Sequence, residues 1–272
     1  MRILKGKTAV ITGAGSGIGA ATAIMCAKVG MNVVISDIHE ENLSSIEQEI
    51  KNTGAEVLLV KTDVSDSRQI ELLATAAYSV FKSVDLLFNN AGVLHVAPLL
   101  KHTENDWQWV LSVNLFGVIN SVRIFTPLMR EQKTESHIVN TASLGGFTTG
   151  AGLAAYKTSK HAVIAFSEVL EAELANTQIK VSVLCPGWTN TKIMTSEFAR
   201  PDKYRNYANQ PENNREDQIH ILNGTESAKS GQSPEFIAEC VLNAVINNKF
   251  YIIPDNSFHS KFKDRVTRIL ES

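Results

Sequence analysis

A glycine-rich run near the amino terminus has the composition of a phosphate-binding loop. It spans residues 12–19 (Thr-Gly-Ala-Gly-Ser-Gly-Ile-Gly) and lies between an apolar segment and a segment long enough for a helix. Glycine allows sharp turns and close approach of a ligand to the backbone, and a helix N-terminus offers free N–H groups to a pyrophosphate. Tight turns also need glycine, but the position between a predicted strand and helix favours a dinucleotide site. The candidate contacts are Gly13, Ser16, Gly17, Ile18 and Gly19.

An acidic residue follows where the adenosine ribose of a dinucleotide would lie. Asp37 ends the second apolar segment, about 20 residues beyond the loop. A carboxylate there can accept hydrogen bonds from both ribose hydroxyls and would repel a 2′-phosphate. The nearest candidate cation is His39, which is mostly neutral at pH 7. We therefore expect NAD rather than NADP, although a turn or helix-capping role would also suit an isolated aspartate.

Short apolar runs alternate with longer segments along most of the chain. Several runs are apolar at nearly every position, as in strands that are covered on both faces of a parallel sheet. The predicted strands are Thr8–Thr12, Asn32–Asp37, Val57–Val60, Asp85–Asn89, His137–Thr141, Lys180–Leu184 and Phe250–Ile253. The predicted helices are Gly17–Gly30, Glu40–Thr53, Ser67–Lys82, Asp106–Gln132, Ala155–Asn176 and Pro234–Asn247. This alternation predicts an α/β fold: a doubly wound, mostly parallel seven-stranded sheet with helices on both faces, in a single domain over residues 1–272.

Two segments depart from this alternation. Residues 189–233 are polar and carry no sustained period, so they indicate either a substrate lid or a disordered surface insertion. Residues 257–271 place apolar side chains at helical spacing among mixed charges, which predicts an amphipathic helix. We expect that helix to pack on its own domain or on a sister subunit rather than on a membrane.

Composition excludes several classes of protein. The chain has 272 residues, a net charge of −2 and no basic stretch mixed with aromatics, so no nucleic-acid partner is expected. No signal-peptide core and no apolar run long enough to span a bilayer are visible, and the three cysteines are widely spaced. We therefore expect a cytoplasmic protein with no membrane partner. The histidines show no ligand spacing, so no metal is expected.

A set of short motifs occurs in one order along residues 7–191. The set comprises Thr12-Gly-x-x-x-Gly-x-Gly19, Asp63-Val64, Asn89-Asn90-Ala91-Gly92, Asn114, Ser143, Tyr156-x-x-x-Lys160 and Pro186-Gly187. Jointly these motifs are highly specific, and the chain resembles the compact single-domain branch of the short-chain dehydrogenase/reductase family. The resemblance implies a Rossmann-type fold that binds NAD.

The resemblance also assigns further cofactor contacts. Asp63 and Val64 would touch the adenine, and Asn90, with Ala91 and Gly92, would line the cofactor and support the sheet. Beyond Pro186-Gly187, the family pattern continues to a threonine near the nicotinamide amide. Thr189 and Thr191 are both candidates for that threonine, and Trp188 could form a wall of the substrate pocket.

The same resemblance implies an acid/base tyrosine. A nearby lysine ammonium and the positive nicotinamide ring would lower the pKa of the Tyr156 phenol from about 10. Tyr156 could then exchange a proton with the substrate oxygen, and Ser143 would hydrogen-bond that oxygen. Lys160 would also hold the nicotinamide ribose, and Asn114 would help to hold a water that relays protons to the lysine.

A second serine, tyrosine and lysine repeat the spacing of the catalytic motif. Ser65, Tyr78 and Lys82 match the internal separations of Ser143, Tyr156 and Lys160. Tyr78 lies at least ten residues into its predicted helix, which places it roughly 15 Å from the carboxyl end of the preceding strand. Because ligands bind outside those ends, we expect no catalytic role for this set.

These observations predict an oxidoreductase that transfers hydride between NAD(H) and a secondary alcohol or its ketone. An NADPH-dependent carbonyl reductase, another reaction of the family such as epimerisation, and a non-catalytic NAD-binding regulator are the alternatives. The expected pocket is mainly apolar and suits a cyclic alcohol, a steroid-like ring or an acyl chain. Its expected lining is Val93, Leu94, His95, Leu144, Gly145, Phe147 and Leu153, with the segment after 190. By resemblance we expect a homo-oligomer, a tetramer or a dimer.

Overall fold

The computed structural model describes residues 1, 3–206 and 224–272. A seven-stranded sheet with the order β3-β2-β1-β4-β5-β6-β7 forms its centre, and every neighbouring pair of strands is parallel. The strands are β1 Thr8–Thr12, β2 Asn32–Asp37, β3 Val57–Lys61, β4 Leu86–Asn89, β5 Ser136–Thr141, β6 Ile179–Leu184 and β7 Tyr251–Ile252. The predicted parallel sheet is confirmed.

Helices connect the strands and cover the sheet. The helices with both ends in the described residues are α1 Gly17–Lys28, α2 Glu40–Lys51, α3 Ser67–Phe81, α4 Glu104–Leu111, α5 Gly117–Glu131, α6 Ala154–Leu174, α7 Pro234–Asn247 and α8 His259–Leu270. Residues 224–229 are helical as well. A π-helical turn, Ser112–Phe116, joins α4 to α5. Short 3₁₀ turns occupy Leu99–Lys101, Leu144–Gly146, Lys192–Ala199 and Asp202–Tyr204.

Alternate residues of each central strand enter opposite halves of the core. In β1, Val10 packs with Leu87 and Ile138 on one face, and Ile11 packs with Leu86 on the other. All five residues of β1 are buried. A strand that is covered on both sides has no polar face, which is why these runs are apolar at nearly every position.

The predicted helix Asp106–Gln132 is a continuous helical stretch, but it consists of two α-helices joined by a π-helical turn. It begins at Glu104, where Thr103 and Asp106 form a capping box, and the π turn interrupts it at Ser112–Phe116. The sequence analysis expected no apolar run long enough to span a bilayer. By length and composition alone, however, the helical stretch of residues 104–131 is long and apolar enough to do so. Trp109 and Phe125 of this stretch are buried in the protein core, as in the core helix of a globular protein.

The carboxyl end of the sheet is where this topology places a ligand. The chain runs outwards from β1 to β2 and β3, then returns to β4 on the other side of β1. The crevice at this switch point is the usual ligand site in doubly wound sheets.

The two segments that depart from the strand–helix alternation have partly defined structure. Residues 192–199 and 202–204 form 3₁₀ turns over the carboxyl end of the sheet, whereas residues 207–223 of the predicted lid lie outside the described residues. The predicted amphipathic helix is α8, and its first turns pack on the chain itself through Phe258 and Phe262. Strand β7 pairs over only two residues, so it is shorter than predicted.

Candidate active site

A cleft of about 730 Å³ lies at the carboxyl ends of the strands. It collects most of the residues that the sequence placed in a cofactor and substrate site, but Gly19, Asn114, His95 and Phe147 do not line it. The predicted residues that line the cleft are Gly13, Ser16, Gly17, Ile18, Asp37, Asp63, Val64, Asn90, Ala91, Gly92, Ser143, Tyr156, Lys160, Thr189 and Thr191. Trp188 lines it as well.

The glycine loop is held against the segment that follows β4. The Thr12 hydroxyl oxygen accepts hydrogen bonds from the backbone N–H groups of Asn90 (3.1 Å) and Ala91 (3.2 Å). The Asn90 side chain donates to the Thr12 carbonyl at 3.1 Å. Gly13 has a φ of +65°, and a Cβ there would lie 2.7 Å from the Ala91 Cα. Sequence reasoning did not include Thr12 among the site residues, although its side chain joins the two cofactor segments.

The start of α1 faces the segment that follows β6. A Cβ on Gly17 would lie 2.8 Å from the Thr191 Cγ2, so only glycine allows this close approach. A Cβ on Gly19 would lie 2.2 Å from the Gly13 carbonyl oxygen. Gly19 therefore shapes the loop without lining the cleft, and the backbone N–H groups at the start of α1 face a space suited to a pyrophosphate.

The Asp37 carboxylate lies beside the glycine loop. Its Oδ2 accepts a hydrogen bond from the Gly15 backbone N–H (3.1 Å), and its Oδ1 accepts one from the His39 N–H (3.1 Å). Each carboxylate oxygen can accept a further hydrogen bond. The neighbouring His39 ring lies 3.3 Å from Glu41, so the surroundings of Asp37 contain a second carboxylate.

Ser143 and Tyr156 approach each other around Gly145. A Cβ built on Gly145 would lie 3.4 Å from the Ser143 Oγ and 3.5 Å from the Tyr156 Cε1. Burial raises the pKa of the Tyr156 phenol above its ordinary value, and a hydrogen bond with Ser143 opposes that rise. The lowered pKa expected for Tyr156 is therefore absent from the protein alone, because desolvation outweighs the neighbouring groups.

Lys160 lies beneath Tyr156, one turn further along α6. Its Nζ is 5.7 Å from the centre of the Tyr156 ring and donates a hydrogen bond to the Thr141 carbonyl at 2.8 Å. Burial lowers the pKa of this lysine to about 8. At pH 7 most of the molecules therefore carry an ammonium group next to the phenol.

Asn114 is fully buried within the π turn. Its amide nitrogen donates to the Val93 carbonyl (2.9 Å) and to the Ser159 hydroxyl (3.2 Å), and its oxygen accepts from the Val93 N–H (2.8 Å). Ser159 in turn donates to the Tyr156 carbonyl at 2.6 Å. A π turn inside an α-helix often marks a functional site, and this one links the segment after β4 to α6.

The second set with the catalytic spacing lies elsewhere. The Tyr78 hydroxyl donates to the Gln132 side chain, and the same Gln132 oxygen accepts from the Val84 N–H. Lys82 ends α3 with a left-handed conformation (φ +66°), and its Nζ donates to the Ser79 carbonyl. This arrangement lies at the amino-terminal side of β4, as expected for a structural role.

Two residues expected in the pocket point elsewhere. His95 contacts Glu197 (Nδ1 to Oε2, 3.1 Å) and Asp106 (3.5 Å). These two contacts hold its ring outside the cleft. Phe147 stacks on Phe258 with ring centres 5.4 Å apart and also contacts Phe262. The other expected lining residues, Val93, Leu94, Leu144, Gly145 and Leu153, do line the cleft.

Sequence reasoning missed a buried ionic cluster that ties residues 192–206 to the loop after β4. Arg200 is 4% exposed, and its guanidinium lies 2.7 Å from Asp106 and 2.8 Å from Glu197. It also lies 4.9 Å from the centre of the Trp109 ring. Burial opposes ionisation of Asp106, but hydrogen bonds from Thr103 and the neighbouring cations hold its pKa below the ordinary value. No local motif signals this cluster, because Asp106 and Trp109 are far in sequence from Glu197 and Arg200.

Replacing Arg200 by methionine should lower the free energy of unfolding by about 3 kcal/mol, because Asp106 would remain buried without its main cation. The matched control is Arg205→Met, which breaks a largely exposed pair with Asp202 and should cost less than about 1 kcal/mol. Urea denaturation of the two variants checks this prediction. Equal losses in both would show that the buried cluster contributes no more than a surface pair.

No group of histidine, cysteine and acidic side chains suited to a metal ion occurs within residues 1, 3–206 and 224–272. Within the same ranges, the polar groups of the cleft are instead those that a dinucleotide requires: free backbone N–H groups, a carboxylate and a lysine. The glycine positions, which a Cβ would fill, leave space for a phosphate group at the start of α1. The residues present therefore fit a nicotinamide dinucleotide.

Comparison with known proteins agrees with this geometry. The family model for short chain dehydrogenase matches residues 7–202. A short chain dehydrogenase/reductase from Burkholderia phymatum, solved in complex with NAD, superposes with a TM-score of 0.95 at 38% identity. That comparison covers 99% of this chain and 96% of the other.

Curated relatives have similar lengths. A CLA biosynthesis dehydrogenase/reductase of Lactiplantibacillus plantarum is 33% identical over 99% of this chain and 95% of its own length. A 1-deoxy-11-beta-hydroxypentalenate dehydrogenase of Streptomyces avermitilis is 34% identical over 96% of this chain and 89% of its own. The chain therefore belongs to the short-chain dehydrogenase/reductase family, NAD(P)-dependent enzymes that act on CH–OH groups and the corresponding ketones.

Proposed function

We propose that this protein is an NAD-dependent dehydrogenase of a secondary alcohol, or a reductase of the corresponding ketone, with Tyr156 as the acid/base. One observation carries the proposal: Ser143, Tyr156 and Lys160 line the same cleft as the glycine loop and Asp37. Proton transfer, hydrogen bonding to the substrate oxygen and dinucleotide binding therefore have their groups in one place.

The preference for NAD over NADP rests on the charge around Asp37. Its carboxylate has free acceptor capacity for the two ribose hydroxyls, and Glu41 and Asn42 complete this side of the cleft. A 2′-phosphate would meet negative charge here, which raises the free energy of binding. The similar protein from Burkholderia phymatum is bound to NAD, which supports the same preference.

The remaining cofactor contacts are proposed from their positions. Gly13, Ser16, Gly17 and Ile18 would hold the pyrophosphate, with Gly19 shaping the loop. Asp63 and Val64 would contact the adenine. The other proposed contacts are Asn90, Ala91, Gly92, Tyr156, Lys160, Thr189 and Thr191.

The bound dinucleotide supplies the hydride acceptor or donor. Tyr156 removes the hydroxyl proton in the oxidation and returns a proton to the carbonyl oxygen in the reduction. Ser143 donates a hydrogen bond to the same oxygen and stabilises negative charge that develops on it. Lys160 holds the nicotinamide ribose and keeps an ammonium group near the phenol.

Lowering of the Tyr156 pKa depends on additional positive charge in the cleft. In the protein alone burial keeps the phenol protonated, which is the form that a reduction needs. The Lys160 ammonium favours the phenolate, and a positive nicotinamide ring would add to its effect. We therefore expect oxidation to accelerate with rising pH and reduction to slow.

Asn114 acts as a positioning residue in this proposal. Its hydrogen bonds to Val93 and Ser159 fix the π turn against α6, directly behind Lys160. A Cβ on Gly92 would lie 3.4 Å from the Asn114 Oδ1 and 3.6 Å from the Lys160 Nζ. A water near this position could relay protons to Lys160, as the family resemblance implies.

The substrate end of the cleft favours an apolar molecule. Its walls carry Val93, Leu94, Leu153, Ile193 and Phe198. Residues 192–206, the described part of the predicted lid, would cover this end, since the Arg200 cluster secures them near the cleft. A cyclic alcohol, a steroid-like ring or an acyl chain would suit such walls.

A panel of secondary alcohols with NAD and of ketones with NADH tests the proposal. We expect turnover of at least one apolar pair, with NADPH as a poorer coenzyme. Efficient turnover with NADPH and none with NADH would favour an NADPH-dependent carbonyl reductase. Tight NADH binding with no turnover on any alcohol or ketone would favour a non-catalytic NAD-binding regulator.

We also propose one domain over residues 1–272 and a homo-oligomer, a tetramer or dimer. Exposed apolar side chains on the long helices support the oligomer, among them Phe116 (51% exposed) and Val169 (57%). A monomeric mass in sedimentation equilibrium would contradict the proposed oligomer.

We also propose a cytoplasmic location. It is supported by Cys26, Cys185 and Cys240, all three of which are free thiols. Secretion of the protein with oxidised thiols would contradict that location.

A further inference from the structure

We infer that Lys157 and Lys261 recognise an anionic group of the substrate, so that the substrate is an apolar alcohol or ketone that carries a carboxylate or phosphate. The inference deepens the proposed function and rests on it. It adds a substrate class and two specificity-determining residues to a cleft whose walls are otherwise mainly apolar.

Lys157 follows Tyr156 directly and lies at the substrate side of the site. A Cβ on Gly145 would lie 3.4 Å from the Ser143 Oγ, 3.5 Å from the Tyr156 Cε1 and 3.7 Å from the Lys157 Cγ. The side chain of Lys157 thus begins where Ser143 and Tyr156 meet. It extends along the loop after β5, where its Nζ lies 3.5 Å from the Thr148 carbonyl.

Lys261 is brought to the same wall by the start of α8. Phe258 and Phe262 flank Lys261 in the sequence and pack against Phe147, with ring centres 5.4 and 5.3 Å from it. Arg265 donates a hydrogen bond to the Phe147 carbonyl at 3.4 Å. These contacts fix α8 on the loop that follows Ser143, and both lysines line the cleft.

Neither lysine of this pair forms an ion pair with another residue that the structure describes. None of the ion pairs within residues 1, 3–206 and 224–272 includes Lys157 or Lys261. Asp255 is the acidic residue of the same wall, and its charged carboxylate accepts hydrogen bonds from the Ser257 N–H (2.7 Å) and hydroxyl (2.8 Å). It takes part in none of these ion pairs either. Two cations that pair with none of the described carboxylates, beside a mainly apolar cleft, form a site for an anion.

The titration of Lys157 agrees with this geometry. Burial lowers the pKa of its ammonium group, and the positive charge of Lys261 lowers it further. Both effects disfavour the charged form, and an anion bound between the two lysines would relieve them. A neutral substrate would not offset the burial of the Lys157 ammonium group or its repulsion by Lys261.

Other lysines of the cleft have different positions. Lys192 directly follows Thr191, which packs against Gly17 at the phosphate end, and Lys160 lies beneath Tyr156. Lys157 reaches Thr148 in the loop that follows Ser143, and the helix of Lys261 packs on Phe147 of the same loop. Their charge is therefore directed to the substrate rather than to the dinucleotide.

Reduction of oxo carboxylic acids and of their methyl esters by NADH tests the inference. The series should vary the separation of ketone and carboxylate from two to ten carbons. At the best length, we expect kcat/KM for the acid to exceed that for the ester by about tenfold, as one charge-assisted hydrogen bond would give. The preference should shrink at high salt.

Variants separate charge from shape. Lys157→Met should bring the acid-to-ester ratio close to one, Lys261→Met should reduce it, and Lys157→Arg should retain it. The matched control is Lys263→Met, because Lys263 is exposed on the same helix and does not line the cleft. Thermal melting of each variant checks that it is folded.

A second measurement does not depend on turnover. Calorimetric titration of the NADH complex with octanoate and with methyl octanoate should give tighter binding of octanoate, and Lys157→Met should abolish the difference. Turnover of ketones with equal rates for acids and esters would overturn the inference and leave the proposed function intact. Lys157-dependent octanoate binding without any turnover would support the anion site and contradict the proposed function. Failure of the wild type to prefer octanoate would overturn the anion site.

Discussion

Replacing Tyr156 by phenylalanine should lower kcat by about a thousandfold in both directions, because the substrate oxygen loses its proton donor and acceptor. Phenylalanine keeps the ring that packs near Ser143 and Gly145, so the protein should fold normally. NADH affinity should change by far less than kcat. Steady-state kinetics on any substrate of the wild type, combined with NADH titration of the variant, check this prediction.

The chain supplies its own control for that experiment. Tyr78→Phe removes a hydroxyl with the same sequence spacing to a lysine, but its hydrogen bond to Gln132 lies away from the cleft. We expect kcat to be unchanged and the free energy of unfolding to fall by about 1 kcal/mol. Full turnover by Tyr156→Phe would refute the assignment of Tyr156 as acid/base.

Replacing Asp37 by serine should change the coenzyme preference by about a hundredfold in favour of NADPH. In this variant NAD loses charge-assisted hydrogen bonds to its ribose, each worth about 1.5–3 kcal/mol. The 2′-phosphate of NADP is no longer repelled by the Asp37 carboxylate. Part of the effect on NAD will come from the loop, because Asp37 also accepts a hydrogen bond from the Gly15 N–H. The ratio of kcat/KM for NADH and NADPH is the measurement.

Two further variants show whether the effect of Asp37→Ser comes from lost charge or from a lost structural contact. Asp37→Asn retains shape and an acceptor while removing charge, so it should lie between the wild type and serine. Asp66→Ser is the control for a purely structural aspartate, since Asp66 caps α3 and accepts from the Arg68 N–H. Asp66→Ser should leave the coenzyme ratio unchanged. An unchanged ratio in Asp37→Ser would mean that Asp37 only braces the glycine loop.

The sheet was predictable because burial on both faces leaves a continuous apolar signal. Residues such as Val10 and Ile11 enter opposite halves of the core, so neither position can be polar. The limits of β7 were less predictable, because its two pairs with β6 give only a short signal. The π-helical form and the limits of the turn at Ser112–Phe116 were not predictable either, since a π turn hardly changes the apolar period.

The cofactor side of the site was predictable because short local motifs encode it. Gly13 and Gly17 have positive φ angles, and those conformations favour glycine wherever the loop occurs. The ionic cluster around Arg200 was not predictable, because Asp106 and Arg200 are far apart in sequence and each resembles an ordinary surface charge. Phe147 was misplaced for a similar reason: only the packing of α8 turns it away from the cleft.

Fluorescence titration of the purified protein with NADH and NADPH shows directly whether the cleft binds a dinucleotide and which one it prefers. We expect saturable NADH binding at least about tenfold tighter than NADPH binding, because Asp37 would bind the ribose of NADH and repel the 2′-phosphate of NADPH. Tighter binding of NADPH would contradict the Asp37 assignment. Binding of neither would contradict the glycine loop as a dinucleotide site.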